Sequence, residues 1–219
     1  MKTAVLVDGG FYRKRAYACL GDISPQARAD ELFTYCLKHL ESKQGKSILY
    51  RIFYYDCPPV RKKVYHPYLK RTVDFSKTDL FTWTNEFFEA LAIKRKMALR
   101  LGIINENQAH YQIKNDVLKK LFNGTKNFEE INESDFIFRA EQKGVDMKIG
   151  LDISSLSFKK QVNQIVLISG DSDFVSAAKH ARREGIDFIL DNLGSKIKSE
   201  LNVHVDGIAT KDKRFLWKN

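Results

Sequence analysis

Short, largely apolar runs recur along the chain, and several of them end on an acid. Thr3–Val7 runs into Asp8, Ser47–Tyr55 into Asp56, Gln164–Ile168 into Ser169-Gly170-Asp171-Ser172-Asp173, and Ile186–Leu190 into Asp191. Runs of this length, rich in β-branched residues, read as buried parallel strands. Helical spacing fills the intervals. A short helix is expected over residues 11–20. A second begins at Ser24-Pro25, carries Leu32, Phe33, Cys36, Leu37 and Leu40 on one face, and ends near Gly45. Thr84–Leu101 reads as one long amphipathic helix. Val117, Leu118, Leu121 and Phe122 mark a short one closed by Asn123-Gly124. Another starts after Gly144 with a stripe of Met147, Leu151, Ile153 and Leu156, and Val175, Ala177, Ala178 and Ala181 mark one that stops at Gly185. Ser195–Leu201 is a last short helix. Arg100–Ile113, Asp135–Ala140 and Val203–Ile208 look extended, and residues 124–134 are loop-like. Strands and helices alternate at both ends of the chain, which predicts a doubly wound α/β fold.

The 219 residues suffice for one ordinary domain with a full core. The division expected is a single domain over 1–210, with a basic, aromatic insertion at 60–113, and a basic tail at 211–219. Hydrophobic content of 43% and charged content of 29% belong to a soluble globular protein. No apolar run reaches membrane-spanning length, and Met1-Lys2-Thr3 leads straight into a strand without signal-peptide layout. Cys19, Cys36 and Cys57 are widely spaced and odd in number, so reduced thiols in a cytoplasmic protein are expected. The net charge of +10 favours a polyanionic partner. In the insertion, Arg61-Lys62-Lys63, Lys70-Arg71, Lys94-Arg95-Lys96 and Arg100 are interleaved with Tyr65, Tyr68, Phe75, Phe81 and other aromatic residues, the mixture single-stranded nucleic acid needs. Trp83, Phe87 and Phe88 are read as core, and His66 receives no role.

Against this basic background the strand ends are acidic. Asp171 and Asp173 lie on a strand-to-helix turn, and Asp8 ends another strand. In a parallel sheet such turns share the carboxyl edge, where ligands bind. Crowded carboxylates are relieved by a cation or by raised pKa values. Each Asp could simply cap its helix, but three together are better explained by one site. Asp146 falls in the first turn of its helix, where the dipole favours an anion. Asp152 lies about 240° further round at ~100° per residue, so it is assigned outside the site. Asp56, followed by Cys57-Pro58-Pro59, is read as an ordinary loop residue.

Val7-Asp8-Gly9-Gly10-Phe11, Lys143-Gly144-Val145-Asp146, Ser169-Gly170-Asp171-Ser172-Asp173-Phe174 and Arg182-Arg183-Glu184-Gly185-Ile186, in this order, resemble the NYN-domain proteins of the PIN-like nuclease superfamily. The resemblance runs from near residue 3 to near residue 208. It implies a PIN-like doubly wound parallel sheet of order 3-2-1-4-5, with helices on both faces and, in this chain, a basic helical insertion. It also implies an acidic tetrad of Asp8, Asp146, Asp171 and Asp173 that is both catalytic and metal-binding. Many PIN-like domains carry Glu where this chain has Asp146, and many NYN domains carry Asn where it has Phe11.

The expected function is a cytoplasmic ribonuclease using Mg²⁺ or Mn²⁺ and cleaving single-stranded or structured RNA, with no membrane association and a homo-oligomer left open. Asp8 and Asp171 are the expected direct ligands, with Asp146 and Asp173 acting through water or a second ion. Lys143, Ser169 and Ser172 are candidate substrate-facing groups, as are Lys94, Arg95, Lys96 and Arg100. The alternatives are a non-catalytic RNA-binding module with the same fold and, more weakly, a phosphohydrolase on small phosphate esters.

Overall fold

The computed structural model describes residues 1–42, 45–196 and 199–216. The elements in chain order are β1 (Lys2–Asp8), α1 (Gly9–Leu20), α2 (Pro25–Lys38), β2 (Ile48–Asp56), β3 (Lys63–His66), β4 (Arg71–Asp74), α3 (Asp79–Ala92), β5 (Met97–Leu101), β6 (Ile103–Ile113), α4 (Asn115–Phe122), β7 (Phe136–Lys143), α5 (Val145–Phe158), β8 (Gln164–Ile168), α6 (Val175–Arg183), β9 (Asp187–Asp191), α7 (Ser199–Val203) and β10 (Gly207–Ile208).

Six strands form one parallel sheet, ordered β10-β9-β8-β1-β2-β5. Counted within the sheet alone, that is 3-2-1-4-5-6. The central strands β1 and β8 pair Val7 with Ile168, which sets Asp8 beside Ser169. They are buried on both faces. One face packs on α1, α2 and α3 through Tyr12, Leu32, Phe87 and Leu91. The other packs on α5, α6 and α7 through Ile149, Ile153, Ala178 and Leu201. The fold is therefore the mixed α/β, three-layer architecture expected.

Several elements differ from the sequence reading. Thr84–Leu101 is not one helix. Thr78 caps α3, which ends at Ala92, and Met97–Leu101 joins the sheet as its edge strand. Lys96 makes the break at φ +63°, outside the helical region. An edge strand is half covered, so its pattern is hard to separate from that of a helix end. In α5 the buried stripe is Ile149, Ile153 and Leu156, while Met147 and Leu151 are exposed. The second helix stops at Lys38, short of Gly45. Of the helix expected over Ser195–Leu201, Ile197 and Lys198 lie outside the described residues, and α7 runs Ser199–Val203. In the basic tail Phe215 is buried against Tyr35, whereas residues 217–219 lie outside the described residues.

Within 60–113, α3 and β5 belong to the central layers. The antiparallel pair β3–β4 and the long pair β6–β7 form an arm off the carboxyl edge instead. His66, without a role in the sequence, is 3% exposed and packs in that arm, its ring 4.1 Å from Tyr111 and 5.4 Å from Phe136. Among the described residues no helix is long and apolar enough to cross a membrane.

Candidate active site

The site grows from the ends of β1 and β8. Asp8 caps α1, its carboxylate accepting a hydrogen bond from the Phe11 backbone N–H at 3.1 Å. Ser169 Oγ donates to the same carboxylate at 3.0 Å and accepts from the Asp171 N–H at 3.2 Å. Asp171 in turn accepts from the Asp173 N–H at 3.0 Å, closing a single turn before α6. One buried hydroxyl thus ties the acid ending β1 to the turn that follows β8. Gly170 is required because a Cβ there would sit 2.6 Å from the Phe11 ring.

The fourth acid arrives from across the groove. Gly144 holds φ +81°, which glycine tolerates and other residues resist, and it turns β7 directly into α5. Asp146 therefore stands in the first turn of α5, facing α6. A groove of about 320 Å³ lies between the two helices, lined by Asp146, Gly150, Ser154, Asp173, Ser176 and His180. Asp152 leaves on the other side of α5, where it accepts from the Tyr55 hydroxyl at 2.8 Å and pairs with Arg100 at 3.1 Å.

The electrostatics mark the cluster as short of positive charge. Burial pushes the Asp8 carboxyl above its ordinary value. The Phe11 N–H and Ser169 hydroxyl pull it back, while Asp146 and Asp56 push it up further. Asp146 is also raised, first by partial loss of water at the groove mouth and then by repulsion from Asp171 and Asp173. The other three acids thus lie within electrostatic reach of Asp146. Among the described residues, however, no three His, Cys, Asp or Glu side chains converge closely enough to hold a metal ion by themselves.

The remaining candidates are scattered. Ser169 is fully buried with both its donor and acceptor roles taken, so it braces acids rather than facing substrate. Ser172 opens the turn between Asp171 and Asp173. Lys143 is exposed, 3.2 Å from Glu141, beside the site at the end of β7. Arg100 lies level with Asp8 through Tyr55 but is engaged by Asp152. Lys94, Arg95 and Lys96 precede β5, so they lie toward the opposite edge. Lys96 is about 13 Å below the level of Arg100 at ~3.3 Å per residue. Lys94 pairs with Asp30, and Lys96 Nζ donates to the Leu49 carbonyl.

Two further strand-end acids escaped the sequence. Asp56 is 1% exposed, not a loop residue. It accepts from Arg13 Nη2 at 3.0 Å, the Tyr54 hydroxyl at 2.9 Å and the Cys57 N–H at 2.8 Å. Asp191 is fully buried and meets the Tyr35 hydroxyl, His39 Nε2 at 2.8 Å, the Leu193 N–H and the Thr210 hydroxyl. Their position at the ends of apolar runs was the available signal. The partners that could not be read locally, Arg13 for Asp56 and Tyr35 and His39 for Asp191, lie far off in sequence.

The NYN domain family model matches residues 84–206, a stretch that includes Asp146, Asp171 and Asp173. A search of curated proteins found no match. Among solved structures, the chain is similar to a protein of unknown function from Vibrio parahaemolyticus. The TM-score is 0.50 and the identity 12%, over 98% of this chain and 94% of that one. At that identity the likeness concerns the fold alone.

Proposed function

The chain belongs to the NYN domain family, within the PIN-like superfamily, and on that premise we propose a metal-dependent ribonuclease that hydrolyses RNA phosphodiester bonds at Asp8, Asp146, Asp171 and Asp173. The observation that carries this reading is the acid group itself. Four carboxylates face one stretch of the carboxyl edge, and two of them are raised in pKa by lack of water and by one another. They do so in a chain of net charge +10. Charge of that kind at the mouth of a groove awaits a cation.

Carboxylate oxygens suit hard ions such as Mg²⁺ or Mn²⁺. Since no three side chains converge on one point among the described residues, the set fits an ion that keeps part of its water shell, as Mg²⁺ does. When bound, such an ion supplies positive charge for the transition-state phosphate and lowers the pKa of a bound water. Asp8 and Asp171, held in a fixed relation by Ser169, form the sheet side of the site. Asp146 and Asp173 form the groove side and orient water. Ser172 and Lys143 flank the path of the RNA. A cytoplasmic location is part of this reading, and the free Cys19, Cys36 and Cys57 are in keeping with it.

The same wide spacing of the acids favours a second reading, an RNA-binding module without chemistry. Purified protein incubated with single-stranded RNA, structured RNA and DNA, in Mg²⁺, Mn²⁺ or EDTA, separates the two. A nuclease cleaves RNA only with metal. Asp146→Asn then lowers turnover by about a hundredfold or more, the scale of losing one preorganised electrostatic group, while RNA binding changes no more than a few-fold. Wild-type protein that binds RNA in Mn²⁺ and leaves the whole panel intact supports the module.

A further inference from the structure

We propose that the β3–β4 hairpin is a stacking platform for single-stranded RNA that leads the strand into the acidic site; the identity of the ligand as RNA rests on the reading above, its single-strandedness on the hairpin. The segment 61–77 carries six Lys or Arg against one Asp. It emerges directly from Asp56-Cys57-Pro58-Pro59, at the same sheet edge as Asp8. Its outward positions pair a cation with an aromatic ring. Lys63 and Tyr65 alternate with the buried Val64 and His66, and Tyr65 lies opposite Thr72. Tyr65 is 56% and Tyr68 44% exposed, an unusual degree for two rings so close together on a rigid element.

The hairpin is built to hold those rings still. Its inner face packs into an aromatic cluster with the β6–β7 pair, where His66 stacks near Tyr111 and Phe75 lies 4.1 Å from Phe138. The Lys62 ammonium donates to the Glu106 carbonyl at 3.0 Å, and Arg61 sits 5.8 Å over the Phe81 ring. These two cations anchor the arm. Lys70 and Arg71, by contrast, are exposed, and their side chains have no hydrogen-bond or ion-pair partner among the described residues. Lys70 even holds φ +48° at the turn, a conformation glycine or asparagine adopts at lower cost.

Between this arm and the acids lies an open groove of about 650 Å³, walled by Pro58, Pro59, Arg61, Ile103, Asn105 and Lys143. Lys143 immediately precedes Gly144 and Asp146, so the groove adjoins the acid group along β7, and the tyrosines stand further out on the same arm, where His66 and Tyr68 pack near Tyr111 and Phe136. Exposed rings accept unpaired bases of any sequence, and free cations between them accept the phosphates. A duplex keeps its bases stacked inside and offers the tyrosines nothing.

The test is equilibrium binding in EDTA, where no cleavage occurs, using a fluorescein-labelled oligouridylate and an RNA duplex of equal length. Wild type binds the single strand more tightly than the duplex. Tyr65→Ala/Tyr68→Ala weakens single-strand binding by about tenfold or more and leaves duplex binding unchanged. Lys63→Gln/Lys70→Gln/Arg71→Gln reduces the slope of log affinity against log salt by about 2, at ~0.7 per phosphate contact. All these side chains are exposed, so thermal melting should show intact folds. Preference for duplex, equal losses on both ligands, or an unchanged single-strand affinity in the tyrosine variant overturns the platform. Because binding is read without metal, a wild type that never cleaves RNA but shows the tyrosine effect defeats the nuclease reading and leaves this one standing.

Discussion

Asp8 and Asp56 end neighbouring strands of the same sheet, yet their surroundings are opposite. Asp56 meets a guanidinium, a phenol and a backbone N–H. Asp8 has one backbone N–H and one hydroxyl, and its nearest charges are other acids. Asp191, at the end of β9, follows Asp56 in being fully partnered. The sheet edge therefore holds two kinds of acid. Those met by protein donors lock elements together, Arg13 of α1 onto β2, and α2 and the chain end onto β9. Those left short of donors gather around the groove. Of these, Asp8 is the one held half-buried without a cation, a costly arrangement that its satisfied neighbours avoid and that the proposed metal would relieve.

The sharpest way to break this contrast is to remove one acid of each kind. Asp56→Ala leaves Arg13 and the Tyr54 hydroxyl without their acceptor in a nearly dry site, and a loss of about 3–5 kcal/mol is expected in urea unfolding. Asp191→Ala should behave alike. Asp8→Asn keeps the helix cap, since asparagine serves there as well as aspartate, and removes a repelled charge. It should change metal-free stability by no more than about 1 kcal/mol, in either direction. Equal destabilisation by Asp56→Ala and Asp8→Asn would erase the distinction.

A smaller effect appears with pH. Asp8 and Asp146 have folded-state pKa values raised above those of the unfolded chain. The native state then holds its protons more tightly, so these groups favour folding at low pH. That contribution is lost as pH climbs from the unfolded carboxylate value, ~3.9, through the raised native ones. Melting curves in EDTA between pH 4 and 7 should show this loss in wild type and a flatter profile in Asp8→Asn/Asp146→Asn. At pH 7, Mn²⁺ should raise the melting temperature of wild type and not that of Asp171→Asn. A profile that is no flatter in the double variant would remove the burial and repulsion ascribed to Asp8 and Asp146.

The smallest expected effect compares the two basic regions. Lys94, Arg95 and Lys96 lie toward the far edge, and two of them are already engaged. Neutralising all three with Gln should leave the salt dependence of RNA binding within about 0.3 of the wild-type slope, against the change of about 2 expected for the hairpin. A large change would move the RNA path to the amino side of the sheet.

The α/β alternation, the central strands and the positions of Asp8, Asp146, Asp171 and Asp173 were legible in the sequence, because each depends on local pattern. An apolar run that stops at an acid, or a glycine that opens a helix before one, needs no knowledge of the rest of the chain. The tertiary structure decided everything that depends on distant partners. Asp56 reads as a loop acid until Arg13, 43 residues away, is brought to it. Asp191 is unremarkable until Tyr35 and His39 arrive from more than 150 residues off. Met97–Leu101 becomes a strand only because β2 offers it an open edge, and Met147 and Leu151 lose the core to Ile149 and Ile153 through the angle at which α5 meets the sheet. The direction of the basic residues was equally hidden. Charge and aromatic content are the same wherever they point, and only the folding of β3 and β4 against β6 and β7 separates the cations that anchor the arm from those left free on it.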